Sequence, residues 1–209
     1  MKRDYEMMLK VNNQNRSKQA QWKAYLPIII LGPVVIGFII VNRVYCLFYK
    51  ADNLPADLAA AFFLGNLFFG LSLLISNWNH FEDILPFFIY YRKIPPFLLK
   101  DIRRVLPSTV YIIIEELFWR GYLQAFFFNN ILLVPLVTGL FTLAHFFKFK
   151  KEKADILSAL EFYLYFLMLS YVFYATKCIY AAILIHFIRN TYAMYWKALK
   201  RQMNVNRKE

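Results

Sequence analysis

The sequence predicts an all-α polytopic membrane helix bundle, with about six transmembrane helices. The first observation behind this is composition: of 209 residues, 60% are hydrophobic and 20% aromatic, and only 18% are charged. A soluble domain of this size carries more polar surface. The second is that the apolar residues gather into runs approaching the roughly 17–25 residues a helix needs to cross a bilayer. The third is that basic residues collect in every second gap between those runs. The formal charge of +12 is therefore topological in origin, and no nucleic-acid partner is expected.

The runs fall at 27–48, 58–75, 106–128, 131–147, 156–175 and 179–196. Helix is the only open secondary structure that satisfies its own backbone in lipid. Pro27 and Pro33 lie early in the first run, where proline is tolerated or kinks the helix. Asn129-Asn130 marks a tight break between the third and fourth. The stretch Ile84–Tyr91, ended by Arg92-Lys93 and Pro95-Pro96, is too short to span and is expected at the interface or as a re-entrant piece.

Lys2, Arg3, Lys10, Arg16, Lys18 and Lys23 precede the first run, and Arg92, Lys93, Lys100, Arg103 and Arg104 separate the second from the third. Lys148, Lys150, Lys151 and Lys153 follow the fourth, and Lys197, Lys200, Arg201, Arg207 and Lys208 follow the sixth. Lys50 and Lys177 are the basic residues near the alternate gaps. This bias predicts both termini in the cytoplasm, with anionic lipid against the basic clusters. The expected organisation is a cytoplasmic segment 1–24, a single transmembrane domain 25–197 and a cytoplasmic tail 198–209. Cys46 and Cys178, with no CxxC spacing, are expected to be buried and structural. His80 falls in a loop and is expected in solvent.

Ionisable groups inside spans cost roughly 2.5–3.5 kcal/mol each on insertion scales, so they mark candidate sites. The third run holds Glu115, Glu116 and Arg120, the fourth ends in Phe141 to His145, and the sixth holds His186, Arg189 and Asn190. Glu116 and Arg120 are four apart on one face and can pair, as are His186 and Asn190. Glu115 lies about 100° round the helix from Glu116, free of that pair. A carboxylate beside a neutral imidazole can take a proton from water, and a second imidazole with an amide can donate to an oxyanion. No serine, cysteine or aspartate in a span stands in a nucleophile pattern, so water is the natural attacker. Glu161 is expected to meet an interfacial lysine, and Arg189 to snorkel or meet a carboxylate. Tyr163, Tyr165, Tyr171 and Tyr174 fit belt and packing positions.

The three motifs Glu115-Glu116-x-x-x-Arg120, Phe141-x-x-x-His145 and His186-x-x-x-Asn190, in order on separate spans, resemble the CPBP (CAAX protease and bacteriocin-processing, or Abi) family of intramembrane endopeptidases. The resemblance covers about 105–195 and implies that this part is a four-helix catalytic core. It implies that Glu115 and His145 activate water, that His186 and Asn190 form the oxyanion site, and that Glu116, Arg120 and Phe141 support the core. Family substrates include prenylated CAAX peptides and precursors of bacteriocins or pheromones; a bacterial cytoplasmic membrane, and precursor maturation or bacteriocin self-immunity, follow as expectations. The partners implied are membrane lipid and a membrane-associated peptide or lipidated protein.

Glu115, His145 and His186 could in principle supply an open zinc set. With no HExxH and ligands from three helices, a metal-free site with no cofactor is favoured. A non-catalytic scaffold or immunity protein is the alternative reading. A small transporter is a weaker one, because the sequence shows no inverted repeat.

Overall fold

In a computed structural model of the chain, residues 53–76, 84–89, 91–127, 129–148 and 156–206 are described, with Pro33 and Gly37 besides. The first predicted run, Cys46 and His80 lie outside the described residues. Every regular element among the described residues is helical, and none is a strand.

Helix α1 spans Leu54–Ser76. The Asn53 side chain accepts the Ala56 N–H at 3.3 Å and caps its first turn. The short stretch predicted at the interface becomes a small helix α2, Leu85–Ile89, followed by a 3₁₀ turn at Tyr91–Lys93 and helix α3, Ile94–Lys100. Pro95 and Pro96 start α3, in the first turn where no N–H is required, so they open a helix and do not merely end one.

Helix α4, Ile102–Glu116, runs through Pro107 and passes directly into a wider π-helical segment, Leu117–Phe127. A π turn shifts the side-chain register of everything after it, and here the shift begins at the two glutamates. After Asn130, whose side chain accepts the Leu132 N–H at 2.9 Å, come α5 (Val134–Lys148), α6 (Ile156–Thr176) and α7 (Ile179–Asn206). The turn between α6 and α7 places Lys177 in the left-handed region (φ 53°), with its N–H on the Phe173 carbonyl at 2.8 Å. Its ammonium reaches back to the Asn129 side chain at 2.6 Å, tying two turns together. Cys178 is buried beside this turn, as expected.

By length and composition, α1 and α6 are each able to cross a membrane. Their outward faces carry exposed Phe62, Phe63, Leu67, Leu71, Leu157, Leu160 and Leu164, a surface that suits hydrocarbon tails and not water. The chain is an integral membrane protein. The apolar part of α5 is shorter, and α4 and α7 bury Glu115, Glu116 and His186. Helix α7 continues to Asn206, well past residue 196 where the apolar run stops.

Gly65 on α1 brings that helix against α7: a Cβ there would lie 3.0 Å from Ile188 Cδ1 and 3.5 Å from the Ile185 Cα. One residue on, Asn66 Oδ1 accepts the Tyr192 hydroxyl at 2.7 Å and also the Tyr91 hydroxyl. Phe69, Phe87, Tyr192, Tyr195 and Trp196 pack edge to face round this polar knot and fasten α1 and α2 to α7. The helix that carries His186 and Asn190 is thereby held from the side away from the site.

Candidate active site

Glu115 and Glu116 end α4 where the π segment begins, and their side chains diverge as adjacent positions on a helix must. Glu115 Oε1 lies 3.3 Å from His145 Nε2. The other ring nitrogen of His145 is 3.0 Å from the Phe141 carbonyl, one turn back on α5. A carbonyl only accepts, so Nδ1 carries a hydrogen, and Nε2 faces the carboxylate with its lone pair when the ring is neutral. A single proton, or one water hydrogen, then belongs to the Glu115–His145 pair. Tyr111, one turn before Glu115 on the same face, hydrogen-bonds to that carboxylate as well.

Glu116 points the other way, into the core, and is fully buried. Its Oε1 accepts Arg120 Nη1 at 3.2 Å and His186 Nδ1 at 2.6 Å, while Oε2 has no hydrogen-bond partner. The predicted Glu116–Arg120 pair is present, and it extends to a histidine that the sequence reading had assigned elsewhere. Arg120 is 1% exposed. Its second amino group donates to Ser170 Oγ at 3.4 Å, and its guanidinium lies 4.5 Å above the Phe141 ring and 5.5 Å from that of Phe166. Such faces suit a flat, weakly hydrated cation. Gln124 donates to the Ser170 carbonyl at 2.8 Å from the same π segment. Arg120 and Gln124 therefore both lock α6 to the helix bearing the glutamates. Phe141 sits under Arg120 and beside His145, with ring centroids 4.2 Å apart in the latter contact, and serves as packing for both.

Glu115, His145, His186 and Asn190 all line one cavity of about 320 Å³, with Ser108, Tyr111, Phe162, Arg189, Met194 and Lys197 among its other walls. Glu116, Arg120 and Phe141 stand behind it. The four residues singled out from sequence as reactive thus share one space, and the three supporting residues form its back wall. A larger groove of about 650 Å³ between α1 and α6 is almost wholly apolar and contains none of the four.

One expectation is corrected: Glu161 pairs not with a lysine but with Arg189, whose Nη2 donates to both carboxylate oxygens at 3.3 and 3.2 Å, because the faces of α6 and α7 that carry the two residues meet. Arg189, expected to snorkel or to meet a carboxylate, does the latter and is stacked near Phe162 and Tyr165. Tyr111, Ser108 and Lys197 were missed as cavity residues. The signal was available: Ser108, Tyr111 and Glu115 share a helix face, as do His186, Asn190 and Lys197.

Among the described residues no three of His, Cys, Asp and Glu converge to hold a metal ion.

A helical membrane bundle with acids and imidazoles turned into one inward cavity defines a class with a buried polar reaction space. Residues 102–192 match the profile of the family described as type II CAAX prenyl endopeptidase Rce1-like, which agrees with the resemblance of the three motifs to the CPBP group. The match begins with α4 and ends at Tyr192, so it takes in every residue of the site from Tyr111 to Asn190. No curated protein and no solved structure matches the chain.

Proposed function

We propose that this protein is an intramembrane endopeptidase that hydrolyses a peptide bond in a membrane-associated peptide or lipidated protein by glutamate- and histidine-activated water. The observation that carries the reading is the Glu115–His145 contact inside a polar cavity, with the outer nitrogen of His145 committed to a carbonyl. Water held between Glu115 Oε1 and His145 Nε2 loses a proton to the pair as its oxygen attacks the carbonyl carbon. The tetrahedral oxyanion is held by the Asn190 amide and by Nε2–H of His186. The same proton then passes to the leaving nitrogen as the C–N bond breaks, releasing an acid and an amine. Tyr111 keeps the carboxylate oriented throughout.

The hydrogen-bond pattern supports the role given to His186. With Glu116 as the carboxylate that accepts from Arg120, Nδ1 of His186 is the donor, and an oxyanion donor on Nε2 then requires the imidazolium. Glu115 and Glu116 as carboxylates balance Arg120 and His186 as cations, which makes this assignment electrically neutral. An uncompensated charge at this depth would carry a large desolvation penalty. Donors arranged in this way need no metal, and the reading is metal-free.

The family's description points to substrates with a C-terminal CAAX sequence carrying a prenyl group; maturation of a bacteriocin or pheromone precursor, or bacteriocin self-immunity, is the biology proposed for a bacterial member. The basic clusters at the ends of the apolar runs support a cytoplasmic location for both termini.

The test is cleavage of a panel of membrane-bound peptides by purified protein in lipid, comparing wild type with Glu115→Ala and His145→Ala, with and without chelator. Cleavage by wild type alone, unaffected by chelator, is expected. Identical behaviour of all three proteins would instead favour a non-catalytic scaffold.

A further inference from the structure

The rim of the cavity carries a cation, Lys197, with no ion pair among the described residues. Helices α4 and α7 run antiparallel along its walls: Glu116 meets His186 at one end, while Phe97, just before α4, packs on Tyr195 at the other with ring centroids 5.2 Å apart. Going outward along α7 the cavity is lined by His186, Asn190, Ala193 and Lys197. His186 is buried, Asn190 half-buried and Lys197 exposed, so the lysine stands at the mouth. Arg189, the other basic side chain of the lining, is committed to Glu161. Lys197 has no ion pair or hydrogen bond among the described residues, and no acidic side chain other than the buried Glu115 lines the cavity.

We propose that Lys197 is a specificity-determining residue that binds the terminal carboxylate of the substrate peptide and so sets how far from that end the chain is cut. The inference rests on the endopeptidase reading. Asn190 and Lys197 are separated by about 10 Å along the helix axis. An extended peptide covers that distance in about three residues. A carboxylate held at the mouth therefore places the bond about three residues upstream beside Glu115, His145 and Asn190. An ammonium on a flexible stem tolerates different side chains before the carboxylate, since it reads charge and not shape.

The experiment uses full-length protein in phosphatidylcholine vesicles with and without phosphatidylglycerol, and membrane-anchored peptides of one sequence ending in either a free carboxylate or a carboxamide. Wild type is expected to favour the carboxylate at least tenfold in kcat/KM, chiefly through KM, and to cut at a fixed distance from the end when one residue is added. In Lys197→Met the acid-to-amide ratio falls to near one, and Lys197→Arg restores most of it. Equal cleavage of acid and amide by wild type overturns the proposal while leaving the protease reading intact. So does a Lys197→Met effect that follows phosphatidylglycerol content and not the peptide terminus, because the bound anion is then a lipid phosphate. Cleavage of neither peptide by wild type, when other membrane-bound peptides are cut, also overturns it; no cleavage of any peptide overturns the protease reading itself.

Discussion

Glu116 and His186, 70 positions apart in sequence, are joined by a 2.6 Å hydrogen bond in the core of the protein. Glu116 also accepts Arg120, so one carboxylate oxygen couples a structural cation to an imidazole that faces the cavity. Two adjacent glutamates thus have separate places, one lining the cavity and one behind its wall.

Glu116→Gln is expected to weaken the fold as well as the activity. The change leaves Arg120 buried with no anion beside it, a loss of about 3–5 kcal/mol for a broken buried pair. Thermal unfolding of the purified protein in detergent should show a clear drop in Tm, and kcat should fall at least about tenfold as the acceptor of His186 loses its charge. An unchanged Tm would mean that the pair does not hold α4, the π segment and α7 together.

Glu115→Gln is expected to do the opposite: the fold survives and turnover is lost. A glutamine fills the same space and still accepts from Tyr111, but it cannot take a proton. Losses of about 10²–10⁴ in kcat are typical when a general base is removed. His145→Ala should fall in the same range, and the double variant should be little worse than either alone, because the two act as a unit. Additive losses in a single-turnover assay would show that they work separately.

Tyr111→Phe tests the residue that sequence reading passed over. The ring stays and only the hydroxyl goes, so stability should change little. The hydrogen bond to a carboxylate is worth about 1.5–3 kcal/mol. A fall in kcat of about tenfold or more with KM unchanged is therefore expected. A change confined to KM would assign Tyr111 to substrate contact instead.

The sequence made the site legible for a physical reason: in an apolar chain each buried charge stands out, and i, i+4 spacing shows which share a face. The Glu116–Arg120 pair, the freedom of Glu115 from it and the shared cavity of His186 and Asn190 follow from that rule. The Glu116–His186 bond does not, since it depends on how α4 and α7 pack, and one helix's periodicity says nothing of its neighbour. Nor could periodicity reveal the π segment, where Arg120 and Gln124 both reach Ser170 on α6. The partner of Glu161 was misassigned for the same reason: its contact with Arg189 is set by helix packing and not by charge spacing. The apolar runs placed five segments within a few residues, with the largest difference at the end of α7, where polar residues continue a helix that hydropathy ends.

Gly65 offers a test of the packing that positions α7. An alanine Cβ would lie 3.0 Å from Ile188 Cδ1, the far end of a flexible side chain, so Gly65→Ala sets a small steric cost against the roughly 1 kcal/mol that alanine gains over glycine inside a helix. The two nearly cancel, and little change in Tm is expected. Ile188→Val removes the offending methyl group. In that background Gly65→Ala should become stabilising, giving a coupling of about 0.5 kcal/mol or more between positions in direct contact. Gly65→Leu has no such escape, because the Ile185 backbone lies 3.5 Å from the same Cβ position. It should force α1 away from α7, break the Asn66–Tyr192 hydrogen bond and lower both Tm and kcat, the latter by displacing His186 and Asn190. Full activity in Gly65→Leu would show that α1 has no part in holding the site.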